Sequence, residues 1–162
     1  VINEHWPETW PSHWARAGVE FTISTPTDSS VHWFGNGPSP AYPDTGQAAR
    51  LGWFSSTIDG LQERTVRPQE SSRRALVSSV QIADSLKARF ASPVGLTIRP
   101  WSPYKVAKTS HDHLLGPSST AHIVFDFACS GVGTAACGPG VLPKYQLPAK
   151  NFTGQVLFEF ES

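Results

Sequence analysis

The side chains in this 162-residue sequence best suited to recognition or chemistry are a set of aromatics, a histidine cluster, two cysteines and a few carboxylates. Trp33, Trp53 and Trp101 lie next to Gly/Pro-containing loops, and Tyr42 and Tyr104 lie within them. Flat rings in loops stack on sugars or anchor protein interfaces, so these five are the candidate ligand-binding residues. The competing role for a Trp is to fill the core. Roughly two of the six Trp are expected at the surface. His111-Asp112-His113 is the sharpest metal candidate, because on a strand His111 and His113 share a face and His122 can add a third ligand. The next four residues, Leu114-Leu115-Gly116-Pro117, supply no carboxylate, and no His occurs after His122. An exposed turn is the favoured reading, with no metal and no cofactor expected.

The remaining motifs are weaker. Gly131-Val132-Gly133-Thr134-Ala135-Ala136 matches a dinucleotide-binding pattern, but Cys137-Gly138-Pro139-Gly140 cannot start the helix that a pyrophosphate needs. It reads as a loop. Cys129 and Cys137 flank that loop and are a candidate disulfide, with two reduced thiols the slightly favoured alternative. Paired carboxylates for glycoside hydrolysis could be drawn from Asp126, Glu159 and Glu161, yet strand parity puts Glu159 and Glu161 on a wet face. There is no nucleophile elbow. Asn151-Phe152-Thr153 is a candidate glycosylation acceptor, meaningful only in a secreted eukaryotic chain.

The elements that must position these groups read as strands. Val19–Thr25 alternates apolar and polar residues strictly, and Val156–Phe160 nearly so. Further strands are expected at 31–34, 51–58, 94–99 and 122–128. One helical turn is expected between Pro11 and Gly18, a long polar loop over 61–74, and either a short helix or a strand in 75–91. With Gly/Pro turns between them, these elements predict an all-β fold, an antiparallel sandwich or jelly-roll-like barrel. Length fits a single β-rich domain over 1–162. The absence of Met and a start in structured-looking sequence suggest a piece of a longer polypeptide.

Charge narrows the partners. Thirteen basic residues balance thirteen acidic ones, so there is no positive field for direct nucleic-acid binding. No apolar run approaches the roughly 20 residues of a membrane-spanning helix.

Three families are similar to parts of this pattern. The His-x-His pair resembles that of cupins, metalloenzymes on a β-barrel, although the cupin Glu and later His are missing. Exposed aromatics on a β-rich fold are similar to lectins and carbohydrate-binding modules, which would make the chain a secreted binding protein. The whole chain, rich in Ser, Thr, Pro and Gly and ending on the strand Gly154–Glu161, resembles the surface or projecting domains of nodavirus- or tetravirus-like capsid proteins. That last resemblance is preferred. It implies a non-enzymatic domain at the virion surface that self-associates as dimers or trimers and attaches to a host receptor or glycan.

Overall fold

The computed structural model describes residues 2–4 (backbone only), 12–133 and 139–160. It is built almost entirely of antiparallel strands: β1 (Ile2–Glu4), β2 (His13–Trp14), β3 (Arg16–Ser24), β4 (Ser30–Gly37), β5 (Arg50–Thr57), β6 (Arg74–Ile82), β7 (Leu86–Arg99), β8 (Thr120–Cys129), β9 (Leu147–Pro148), β10 (Phe152–Gly154) and β11 (Val156–Phe160). One short helix, α1 (Pro103–Lys108), follows β7. The main sheet runs β3-β8-β7-β6-β4-β5, and β11 adds to β7. Two small pairs, β1 with β10 and β2 with β9, lie outside it.

β7 organises the sheet. Its first half, Leu86–Phe90, pairs β11, whereas its second half, Gly95–Arg99, pairs β8. Pro93 stands between the two, where a missing amide donor costs no ladder bond. The sheet curls there into two facing leaves, β3-β8 with the end of β7, and β5-β4-β6-β11 with its start. Rings from both leaves meet inside: Phe125 of β8 lies edge-on to Phe90 of β7 at 4.7 Å and to Phe21 of β3 at 5.2 Å. Phe158 of β11 closes the seam against Phe21 at 5.6 Å. Val31, Trp33, Val77, Ile82, Ile98 and Ile123 fill the rest. This is the sandwich-like all-β fold that strand periodicity predicts.

Three local expectations change. Residues 75–91 hold no helix: β6 and β7 form a hairpin through Ala83-Asp84-Ser85, with Ala83 at φ 49°. The register of β6 also slips between Arg74 and Ser79, so Val77 is buried and Leu76 (φ 53°) is turned out. Simple parity, which groups Leu76 with Val80, fails at this bulge. The expected turn of helix before Gly18 is instead extended chain in β2 and the start of β3, while Trp6 and Trp10 lie outside the described residues. The unexpected helix, α1, has its signal in Ser102-Pro103: the Ser102 side chain accepts from the Lys105 amide at 3.1 Å, and Pro103 opens the first turn.

Candidate functional site

The polar residues with the most constrained surroundings sit on the outer face of the β3-β8-β7 leaf, beneath the loops 38–49 and 61–73. Asp126 of β8 points away from the core that Phe125 enters, and its side chain is fully buried. Its neighbours across the ladders are Gly95 on β7 and Gly18 on β3. Gly95 matters because the Arg73 guanidinium lies directly over it, where any Cβ would clash. Arg73 Nε donates to Asp126 Oδ2 at 3.3 Å and Arg16 Nη2 donates to the same oxygen at 3.0 Å. Glu70 bridges outward. It accepts from Tyr42 Oη at 2.7 Å and from Arg16, and its Oε1 lies 3.4 Å from Arg99 Nη2.

Burial dominates the electrostatics here. It pushes the Asp126 carboxyl above its usual range, against the opposing pull of Arg16 and Arg73. Burial, followed by the charge of Glu70, pushes the Tyr42 phenol well up, so it acts as a neutral donor. Cys129, at the end of β8, is likewise pushed up to about 11 by burial. Its Sγ lies 3.2 Å from the Ser130 carbonyl, to which a thiol there would donate.

This network holds a loop in place. Arg73 Nη1 donates to the Ala41 carbonyl at 2.8 Å and the Ala41 amide donates back to the Arg73 carbonyl at 2.8 Å. Three residues on, the Asp44 carboxylate accepts from the Val132 amide at 3.0 Å and the Gly133 amide at 2.7 Å. Gly131 has no room for a side chain against that carboxylate, and its amide donates to the Tyr145 carbonyl at 2.8 Å. Gly133 takes φ +60°, a conformation that favours glycine. The Gly-rich stretch is therefore a positioned loop as far as Gly133; residues 134–138, Cys137 among them, lie outside the described residues, and with them the candidate disulfide.

The candidate aromatics divide. Trp33 is buried, donates to the Asn36 carbonyl at 3.1 Å and stacks on Phe54. Tyr42 is buried in the network above. Trp101 is buried with Val106 and Leu115, donates to the Gly116 carbonyl at 2.9 Å and carries the Arg64 guanidinium 4.8 Å over its ring. Trp53 and Tyr104 are each 73% exposed. His111 precedes and His113 lies within a 3-10 turn, Asp112–Leu114, with their rings 5.7 Å apart. His122 lies on β8 against Glu20 at 3.1 Å. Among the described residues no group of three His, Cys, Asp or Glu is placed to hold a metal. Asn151 is exposed. The carboxylates face cations: Asp126 as above, Asp59 and Asp112 on Arg64, Glu159 on Arg89 at 3.8 Å. Glu161 lies outside the described residues.

Sequence reasoning missed Arg16, Asp44, Glu70, Arg73 and Arg99. The segment 61–74 reads as a long polar loop, yet Arg73 and Arg74 at its end are buried. Two adjacent arginines immediately before an apolar strand were the available signal.

Comparison with known proteins identifies the setting of these groups. The family model described as "Beta galactosidase small chain" matches residues 2–158. A beta-galactosidase of Arthrobacter sp. is 31% identical over 85% of this chain, and one of Staphylococcus xylosus is 29% identical over 82%. One of Kluyveromyces lactis is 29% identical over 99%. The chain spans only 14–15% of the length of these three relatives. These matches overturn the capsid reading and its lectin and cupin alternatives, which rested on texture, aromatic placement and one His-x-His pair. The inferences that depended on them fall too: a non-enzymatic role, self-association and host-receptor or glycan attachment as the partnerships, and a virion-surface or secreted location. On a match that runs nearly end to end, this chain belongs to the beta galactosidase small chain family.

Proposed function

We propose that this chain is the β-sandwich portion of a beta-galactosidase and takes part in hydrolysis of terminal β-galactosides together with a large chain. The observation that carries this reading is the family match over residues 2–158, set beside relatives about seven times longer than the matched segment. Hydrolysis of a glycoside uses two carboxyl groups flanking the scissile bond, one as acid and the other as nucleophile or base. Of the candidate carboxylates, Asp126 faces Arg16 and Arg73, and Glu159 faces Arg89. The large chain is the proposed source of the reacting pair, and this chain supplies a rigid sandwich with the Asp44-held loop on its surface.

The test is complementation. The large chain is expressed with and without this chain, and hydrolysis of o-nitrophenyl β-galactoside is measured. Activity that appears only when both are present supports the proposal. A large chain equally active alone, or inactive in both cases, refutes it.

A further inference from the structure

Among the described residues the main sheet has three free edges, on β3, β11 and β5. At two of them a ring contact spans the seam, Phe21 on β3 meeting Phe158 on β11 at 5.6 Å. Among the described residues no such contact reaches past the third, β5. It pairs only with β4, over all eight of its residues, and alternate N–H and C=O groups of its far side face outward. No backbone hydrogen bond from another segment reaches that far side among the described residues.

The outer face of β5 is apolar in its first half, at Leu51 and Trp53, and polar at Ser55 and Thr57. Leu51 is 62% exposed and Trp53 is 73% exposed. Phe34 of β4, opposite Trp53 in the ladder, packs against it at 5.2 Å and extends the patch one strand inward. Beyond Phe34 the same row turns polar at Ser79 and charged at Arg89, then reaches Leu157 of β11, 59% exposed. Leu51, Trp53 and Phe34 thus form an apolar cluster at the β5 edge, separated from Leu157 by the polar Ser79 and Arg89. Edge strands of proteins that stay monomeric are blunted by Lys, Pro or inward charges. β5, Arg50-Leu-Gly-Trp-Phe-Ser-Ser-Thr57, has only Arg50 at its start.

We infer that the β5 edge, with Leu51, Trp53 and Phe34, is the surface on which the large chain of the enzyme docks. The inference rests on the proposed function. The occupant follows from scale: beta-galactosidases matched by this chain are about seven times the length of the matched segment, so most of such an enzyme lies outside it. A partly exposed Trp at the centre of an apolar patch with open backbone groups alongside is the pattern of an interface anchor.

The experiment measures binding of this chain to the tagged large chain, for the parent and for Trp53→Ser and Leu51→Ser. Both positions are already solvent-exposed, so the fold is kept; unchanged far-ultraviolet circular dichroism confirms this. Tyr104→Ser and Val66→Ser, at residues 73% and 82% exposed elsewhere, are the controls. Loss of a central Trp anchor is expected to weaken binding about 30-fold, with the controls within about 3-fold of the parent. Parent binding matched by Trp53→Ser overturns the docking surface and leaves the proposed function standing, as does equal weakening by all four substitutions. A parent chain that does not bind the large chain overturns both. Self-association of this chain that Trp53→Ser abolishes, with large-chain binding untouched, makes β5 a contact between copies and overturns the assignment.

Discussion

Replacing Asp44 by Ala should loosen residues 131–133 without unfolding the sandwich. The carboxylate accepts two amide hydrogen bonds, from Val132 at 3.0 Å and Gly133 at 2.7 Å, and both are charge-assisted. A bond of that kind contributes about 1.5–3 kcal/mol when sheltered. Asp44 is half-buried, and Val132 is exposed, so water can replace part of what is lost. Together the two bonds are therefore worth about 2 kcal/mol to the closed loop, equivalent to roughly 30-fold in its opening equilibrium. The assay is amide hydrogen exchange by mass spectrometry on a peptide covering 130–133, with peptides from β7 and β8 as internal references. Exchange at Val132 and Gly133 should rise about 30-fold while the core peptides stay unchanged. Asp44→Asn keeps one acceptor oxygen and should fall between parent and Ala. Gly131→Ala, whose new methyl collides with the same carboxylate, should copy Asp44→Ala. An increase below about 3-fold for Asp44→Ala would show that the anchor lies elsewhere, in the Gly131–Tyr145 and Ser130–Ala15 backbone bonds.

Two further outcomes are expected in the buried network. Gly95→Ala puts a methyl into the Arg73 guanidinium, which must give up Asp126 or Ala41; overpacking and a lost charged hydrogen bond together cost about 3 kcal/mol, or a urea midpoint lower by about 1.5 M, and an unchanged midpoint refutes it. The second outcome concerns pH. Because burial raises the Asp126 carboxyl, the folded chain holds that proton more tightly than the unfolded one, whose carboxyl titrates near about 3.9. Its contribution to stability is full below that value and fades as pH rises through the raised one. The urea midpoint of the parent relative to Asp126→Asn should therefore improve between about pH 7 and about pH 4; a difference that stays flat contradicts it.

The fold was legible because its strands obey local rules. Val19, Phe21 and Ile23 follow period-two alternation and point inward, as does Val156, whereas on the same strand parity Phe158 is only partly covered and Phe160 is 75% exposed. Legibility stopped where a bulge reversed parity, at Leu76 and Val77, and where a six-residue helix was too short to show periodicity. The buried network was not legible at all. Arg73 and Asp126 are 53 residues apart and Asp44 and Val132 are 88 apart, so nothing in either neighbourhood names its partner. Composition also misled: a low-charge, Ser/Thr/Pro/Gly-rich β-chain is as compatible with a capsid domain as with the beta galactosidase small chain family. Only relatedness over 2–158 separates them.

The double service of β7 bears on how this domain comes apart. In a sandwich whose leaves are joined only by loops, one leaf can melt while the other persists. Here Leu86–Phe90 and Gly95–Arg99 are consecutive stretches of one backbone, sewn into different leaves. Fraying that reaches Pro93 from either direction enters the other leaf without meeting a hinge. Denaturation of the sandwich should thus be all-or-none, with no half-melted species to be trapped, cleaved or aggregated, and its most slowly exchanging amides should cluster in this strand.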